Sequence, residues 1–338
     1  MPSAWVITPG ATVRAAGQSL IVTREDEMLQ EIEIIHLDRL MLVGRVNITT
    51  PALGLLLDQD IPVTLLRRNG QVRGHMIGPT DPRADLRLGQ YMTYSDPATR
   101  LAASRRIVRR KLQAMNALIG AWASNHPGLG AANEQVSRIR AAVNRVDSTE
   151  SIESLLGLEG SASAAYWKVF QRVNRSALRF TARRSRPPAD ELNALLSLGY
   201  AFLRREIVNL LEARGLDPHV GMYHTLQSRR PALALDVMEP YRHLIVDRLV
   251  LSSVNRGAFP QRDFQRSDDG YRLETEAMRR FIAGFEDTML DPPDREVAGE
   301  SPHAGDVRAV LRDRVDRLAV WFRSVAVQGG GTTVMAAA

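Results

Sequence analysis

The chain has no cysteine in its 338 residues. That absence removes disulfides, thiolate metal sites and cysteine nucleophiles together. Any metal must then be held by His, Asp, Glu or backbone oxygen, a donor set that favours a hard ion, Mg2+ or Mn2+. Long apolar runs are also missing, since no stretch approaches the roughly 18 residues that span a bilayer. Met1 leads straight into Trp5-Val6-Ile7 rather than through a charged-then-apolar leader. The expectation is a soluble, cytoplasmic protein with no membrane partner. No P-loop, dinucleotide fingerprint, paired-histidine zinc helix or nucleophile elbow occurs, so nucleotide and serine hydrolysis lose ground.

What is present is basic. The 44 Lys+Arg residues outweigh 38 Asp+Glu, giving a formal charge of +6, and arginine greatly outnumbers lysine. The planar arginine fork suits phosphate oxygens, which makes nucleic acid a natural partner. A GC-rich coding sequence accounts for the same composition equally well.

Residues 1 to about 80 read as β-rich. Strands are expected at Ala4–Ile7, Ser19–Thr23, Glu31–His36, Leu40–Val43, Pro62–Leu66 and Val72–Ile77. Asn69-Gly70 is the clearest hairpin turn, because both residues tolerate positive φ. Pro51–Leu57 reads as a short helix, and 78–82 (Gly-Pro-Thr-Asp-Pro) as a linker. From about residue 85 the pattern turns helical and stays so. A long helix follows Asp96-Pro97 to about Trp122. Asp147 with Glu150 predicts a capping box for the next helix. Further helices are expected over Asn193–Arg214, stopped by Gly215, and over Pro231–Ser253 and Asp306–Val327. The loop-like segment 291–304 precedes the last of these. The fold class is α+β, with a β-rich domain at 1–84, a larger all-α domain at 85–328 and a disordered tail at 329–338.

Three stretches set acids or histidines amid apolar sequence. Glu159 follows Leu155-Leu156-Gly157-Leu158, so its carboxylate either turns inward toward a cation or sits on a surface helix. His219 and His224 lie in the glycine-flanked segment 215–224, where either could be a ligand or a hydrogen-bonded structural residue. Asp236 and Glu239 are three apart, amid the apolar Leu233, Leu235, Val237 and Met238, hence on one helical face. Two such acids repel unless a cation joins them, and Arg242 is the alternative counter-ion.

Together with Arg186-Pro187-Pro188 leading to Asn193-Ala194-Leu195-Leu196-Ser197, these stretches assemble into something specific. The Glu159-Gly160 pair followed by Tyr166, Gly221-x-x-His224, and Leu235-Asp236-x-Met238-Glu239-Pro240-x-Arg242 complete it. In this order and spacing the chain resembles the CRISPR-associated spacer-acquisition integrases, the first-numbered family of adaptation proteins. His243 departs from the proline expected after the arginine.

The resemblance implies that Glu159, His224 and Glu239 hold Mg2+ or Mn2+, with Asp236 auxiliary. It implies joining of a fragment's 3′-hydroxyl ends into the repeat of a CRISPR array by transesterification. It further implies double-stranded DNA as substrate, both spacer precursor and repeat, a homodimer formed through the β domain, and a dimer of the small second-numbered adaptation protein as partner. Arg172, Arg175, Arg179 and Arg183 recur at helical spacing and predict a DNA-facing row. Arg105, Arg106, Arg109, Arg110 and Lys111 form a second basic cluster; for both, a solvated face is the alternative. Rival readings are a nuclease of branched DNA, a transposon-borne integrase of the same family, and a non-catalytic DNA-binding scaffold.

Overall fold

Alternation of β-branched and apolar residues builds the first strands. β1 (Ser3–Val6), β5 (Arg39–Val43), β7 (Val63–Leu66) and β8 (Val72–Met76) form one sheet in the order β1-β5-β7-β8. β1, β5 and β7 run parallel and β8 antiparallel. β5 is buried along its whole length, and its Leu40-Met41-Leu42-Val43 run has the unbroken apolar character of a central parallel strand. Parallel neighbours need a crossover, and α1 (Thr50–Asp58), capped by Thr49, supplies it between β5 and β7. A second sheet holds β2 (Thr12–Ala16), β3 (Ser19–Arg24), β4 (Glu27–Glu33) and β6 (Asn47–Ile48) in the order β4-β3-β2-β6. Val13, Leu20, Leu40, Leu56 and Val63 meet in the shared core.

The structure is a computed structural model, and it describes residues 3–68, 70, 72–78, 83–124, 133–184, 187–268, 270–291 and 305–327. Asn69, most of the expected 78–82 linker, Arg186, residues 292–304 and the tail at 329–338 lie outside the described residues. Two compact units emerge. The first comprises Met1–Thr80, Ser185–Phe202 and Gln261–Asp287; the second comprises Asp81–Arg184, Leu203–Pro260 and Thr288–Ala338.

The first unit therefore takes in two stretches that sequence reading assigns to the helical half. The Trp5 ring packs 4.6 Å from that of Phe202, and its indole N–H donates to Glu286 at 2.9 Å. One returning stretch carries a hairpin, β9 (Phe264–Ser267) with β10 (Gly270–Leu273), which corrects the expectation that helix continues unbroken after residue 85. β9 is largely exposed and β10 half-buried, each is short and carries an arginine, so no apolar alternation announces them.

The second unit is helical. α2 (Ala84–Ser95), α3 (Pro97–Ser124), α4 (Asn133–Arg145) and α5 (Ile152–Val173) precede α6 (Glu191–Ala213), which starts in the first unit and ends in the second. α7 (Ala232–Met238), α8 (Arg248–Asn255), α9 (Thr275–Leu290) and α10 (Val307–Val327) follow, α9 belonging mostly to the first unit. No helix among the described residues is long and apolar enough to cross a membrane.

Three helical expectations need correction. α5 is capped by Ser151 and Ser154 in a reciprocal box, while Asp147 sits in a short turn and pairs with Arg109. The helix expected over Pro231–Ser253 lapses at Glu239-Pro240-Tyr241, where proline has no N–H to donate, and resumes through a wide turn at His243–Asp247. α5 ends at Val173, so Arg175, Arg179 and Arg183 do not continue a helical face with Arg172. Asn174 accepts from Ser176 and donates to the Leu178 carbonyl, while Asn255 binds both Val173 and Arg175. These side chains satisfy the backbone that would otherwise have stayed helical.

Candidate active site

Asp236 organises the loop that carries His224. Its carboxylate accepts the backbone N–H groups of Met222 (2.5 Å), Tyr223 (3.0 Å) and His224 (3.0 Å), and it holds His224 Nδ1 at 2.7 Å. A carboxylate can only accept, so Nδ1 carries a proton, and the ring turns Nε2 toward Glu239. The loop approaches α7 closely because residue 221 is glycine. A Cβ there would stand 2.6 Å from the Ala232 carbonyl carbon and 2.6 Å from Asp236 Oδ2. Asp236 is thus not one of a repelling pair with Glu239; three N–H donors and an imidazole absorb its charge.

Glu239, at the end of α7, is buried with its side chain only 3 % exposed. Its Oε1 stands 3.8 Å from His224 Nε2, and Arg242 Nη1 donates to both of its oxygens at 3.2 and 3.4 Å. Glu159, on α5, accepts from Ser163 at 2.6 Å. Between these carboxylates lies Lys111 of α3, its ammonium 2.7 Å from Glu159 Oε1 and 2.5 Å from Glu239 Oε2. Burial alone would raise both carboxyl pKa values. Lys111 reverses that in each case, aided by Arg242 and His224 at Glu239 and by Ser163 at Glu159, and holds both below the ordinary range.

Two of the three residues expected as ligands, Glu159 and Glu239, therefore meet on an ammonium, while His224 reaches the pair only through Glu239. Among the described residues no three acids or histidines stand close enough together to share a metal ion. The donor types still suit a hard ion: two carboxylates share one ammonium, and an oriented imidazole nitrogen stands beside the second of them. Tyr223 adds a second sign. Its hydroxyl is buried with no hydrogen-bond partner, and burial followed by the charges of Glu159, Glu239 and Asp236 pushes the phenol well above its usual pKa. An orphaned donor beside three carboxylates is suited to an oxygen ligand arriving in the site.

Other candidates fall elsewhere. His219 is exposed and pairs with Asp217 at 3.4 Å. Tyr166 is fully buried and donates to Asp247, which also holds His243 Nδ1 at 2.6 Å, so this tyrosine and the departing His243 brace the helix behind the site. Of the second basic cluster, Arg105 donates to the Thr149 carbonyl and Arg109 pairs with Asp147, tying down the turn before α5. Arg172, Arg175 and Arg179 are exposed, Arg183 half-buried.

Sequence reasoning grouped Lys111 with phosphate-tracking residues and did not single out Tyr223. A signal for Lys111 existed: only two of the chain's 44 basic residues are lysine. A compact ammonium fits between two carboxylates where a guanidinium fork would splay them.

A family model described as CRISPR associated protein Cas1 matches residues 4–287. A CRISPR-associated exonuclease Cas4/endonuclease Cas1 fusion from Geobacter sulfurreducens is 37% identical over 298 residues, covering 84% of this chain and 52% of that protein. A CRISPR-associated endonuclease Cas1 from Moorella thermoacetica is 32% identical, covering 82% of this chain and 83% of its own. Among solved structures, a Cas6-RT-Cas1–Cas2 complex superposes with TM-score 0.79 at 25% identity, over 97% of this chain and 35% of that one. The chain thus spans about half the length of the fusion relative.

Proposed function

The chain belongs to the CRISPR-associated Cas1 family, and we propose that it is a divalent-metal-dependent DNA integrase whose Glu159, His224 and Glu239 hold Mg2+ or Mn2+. The single observation that carries this reading is the cluster in which Glu159 and Glu239 share one ammonium and His224 Nε2 stands 3.8 Å from Glu239. A bound ion would supply Lewis acidity, lowering the pKa of an attacking hydroxyl and offsetting charge on the transferring phosphate.

The chain's own residues prepare the site. Asp236 fixes the imidazole so that Nε2 faces Glu239. Arg242 keeps Glu239 ionised in its buried position. Lys111 stands in for the cation, holding two buried carboxylates apart that would otherwise repel. The Tyr223 hydroxyl is available to donate to an incoming oxygen.

In the joining step the 3′-oxygen of a DNA fragment forms a new bond to a repeat phosphorus as the bond to the repeat strand's own 3′-oxygen breaks. The hydroxyl proton leaves with the departing oxygen or to solvent. One phosphodiester replaces another, so no nucleotide triphosphate is consumed. The relatives' description as endonucleases supports phosphodiester chemistry, and the Cas1–Cas2 complex supports a Cas2 partner. A homodimer formed through the β-rich unit belongs to the same reading.

The test incubates the protein and its Cas2 partner with Mn2+, a fragment and a supercoiled repeat plasmid. Joined product is expected from the wild type and none from Glu239→Ala, with DNA binding retained. Nicks without joining would favour a nuclease using water. Unchanged joining by Glu239→Ala would overturn the site.

A further inference from the structure

The segment 215–224, which carries His224, is held along two edges. Its N–H groups at Met222, Tyr223 and His224 donate to Asp236 on α7. Its carbonyls are taken by side chains of α2 and α3. Gln90 Nε2 donates to the carbonyls of Asp217 at 2.7 Å and Val220 at 2.8 Å, and its Oε1 accepts the Asp217 N–H at 3.0 Å. Arg100 Nε donates to the Met222 carbonyl at 2.9 Å, with its guanidinium carbon 4.4 Å from the centre of the Tyr94 ring. Met222 is thus gripped at both ends of its backbone, by Asp236 and by Arg100.

Gln90 is fully buried, and these three bonds to one segment are what satisfies its amide. The helix that carries it is itself seated closely. At Gly89, α2 meets α10 so tightly that a Cβ would run into the Phe322 carbonyl. A segment bonded along one edge can still swing about that edge. A second row of bonds on the opposite edge removes the swing.

We propose that Gln90 and Arg100 are positioning residues that fix the His224 imidazole through the carbonyls at 217, 220 and 222. Asp236 binds the ring at Nδ1, while Gln90 and Arg100 set where the loop places Nε2, 3.8 Å from Glu239. Their effect on joining rests on the integrase reading. The seating of the ring does not, and is measured without metal or DNA.

The experiment uses the full chain with Gln90→Met, Arg100→Met or, as control, Thr93→Val. Methionine keeps an unbranched side chain and removes the donors. Thr93 is buried on α2, and its hydroxyl donates to the Gly89 carbonyl of the same helix, so valine weakens α2 without touching the loop. The signal followed is the His224 Nδ1–H proton, shifted downfield by its bond to Asp236 and assigned by its loss in His224→Asn. Below the melting transition of each variant, its exchange with solvent is expected to quicken about fivefold or more in Gln90→Met and Arg100→Met. Thr93→Val should change it little. In Mn2+, both methionine variants should lower the kcat of joining about tenfold or more and leave the KM for DNA nearly unchanged. Arg100 is half-buried and gives the loop one bond, so its variant carries the test even if Gln90→Met does not fold. Unchanged exchange in Arg100→Met, or an equal rise in Thr93→Val, would overturn the proposal. So would faster exchange with kcat intact, since the seat of the ring would then not matter to the reaction. If the wild type joins nothing, the integrase reading falls, while the exchange rates still uphold or overturn the positioning.

Discussion

An ammonium buried between two carboxylates is stable only while all three charges are present; removing one partner of such a set costs about 3 kcal/mol or more. Lys111→Met should therefore lower the melting temperature of the metal-free protein. The same change removes the cation's competitor, so calorimetric Mn2+ affinity should rise about tenfold or more, and Mn2+ should restore the lost stability. Weaker Mn2+ binding by this variant would assign Lys111 to the ion's support rather than its place. The pH dependence follows from the same contacts. Glu159 and Glu239 have folded pKa values below the unfolded value of about 4.3. The stability they contribute is present above that value and lost as pH falls through the lower folded ones. Urea midpoints of the wild type should stay flat to about pH 5 and drop below about pH 4. In Lys111→Met the drop should begin at higher pH, since burial is no longer offset. Glu159, Asp236 and Glu239 were legible as acids interrupting apolar runs and His224 through its glycine-flanked segment, while their joint role came only from the family resemblance. Lys111 was not: it closes the basic run Arg109-Arg110-Lys111, which reads as a solvated face until α3 is seen to turn its last member inward.

At the scale of elements, the loop 215–224 and α7 act as a clamp whose fit depends on Gly221. Gly221→Ala would drive a methyl group into the Ala232 carbonyl and Asp236 Oδ2, each 2.6 Å away. Overpacking of this kind costs about 1–3 kcal/mol. The variant should melt lower and lose Mn2+ binding, since Asp236 could no longer hold both the loop backbone and His224. A variant that binds Mn2+ as the wild type does would show that the clamp does not position the imidazole. The main strands and helices of the chain could be read from periodicity, including α1 between two strands and Gly215 ending α6 at φ +76. What failed has local causes. The arginine row downstream of Glu159 broke where Asn174 and Asn255 bind the backbone themselves, and β9–β10 stayed hidden because its short, arginine-bearing strands show no apolar alternation. The capping box moved four residues, to Ser151, because Asp147 is engaged by Arg109.

At the scale of the molecule, neither unit is one continuous segment. The β-rich unit recruits 185–202 and 261–287, with Trp5 against Phe202 and Gly70 against Leu198. A fragment ending at residue 84 lacks those partners, and its thermal unfolding should be broad and non-cooperative; a sharp transition would mean that the first strands fold alone. The site likewise draws on distant sequence, with α3, α5, the loop after α6 and the end of α7 each contributing one side chain to a single cluster. A crystal soaked in Mn2+ examines that convergence most directly. Anomalous density should show one ion bonded to the Glu159 and Glu239 carboxylates and to His224 Nε2, with the Lys111 ammonium turned aside. Density elsewhere, or an ammonium still bridging the carboxylates at saturating Mn2+, would contradict the account.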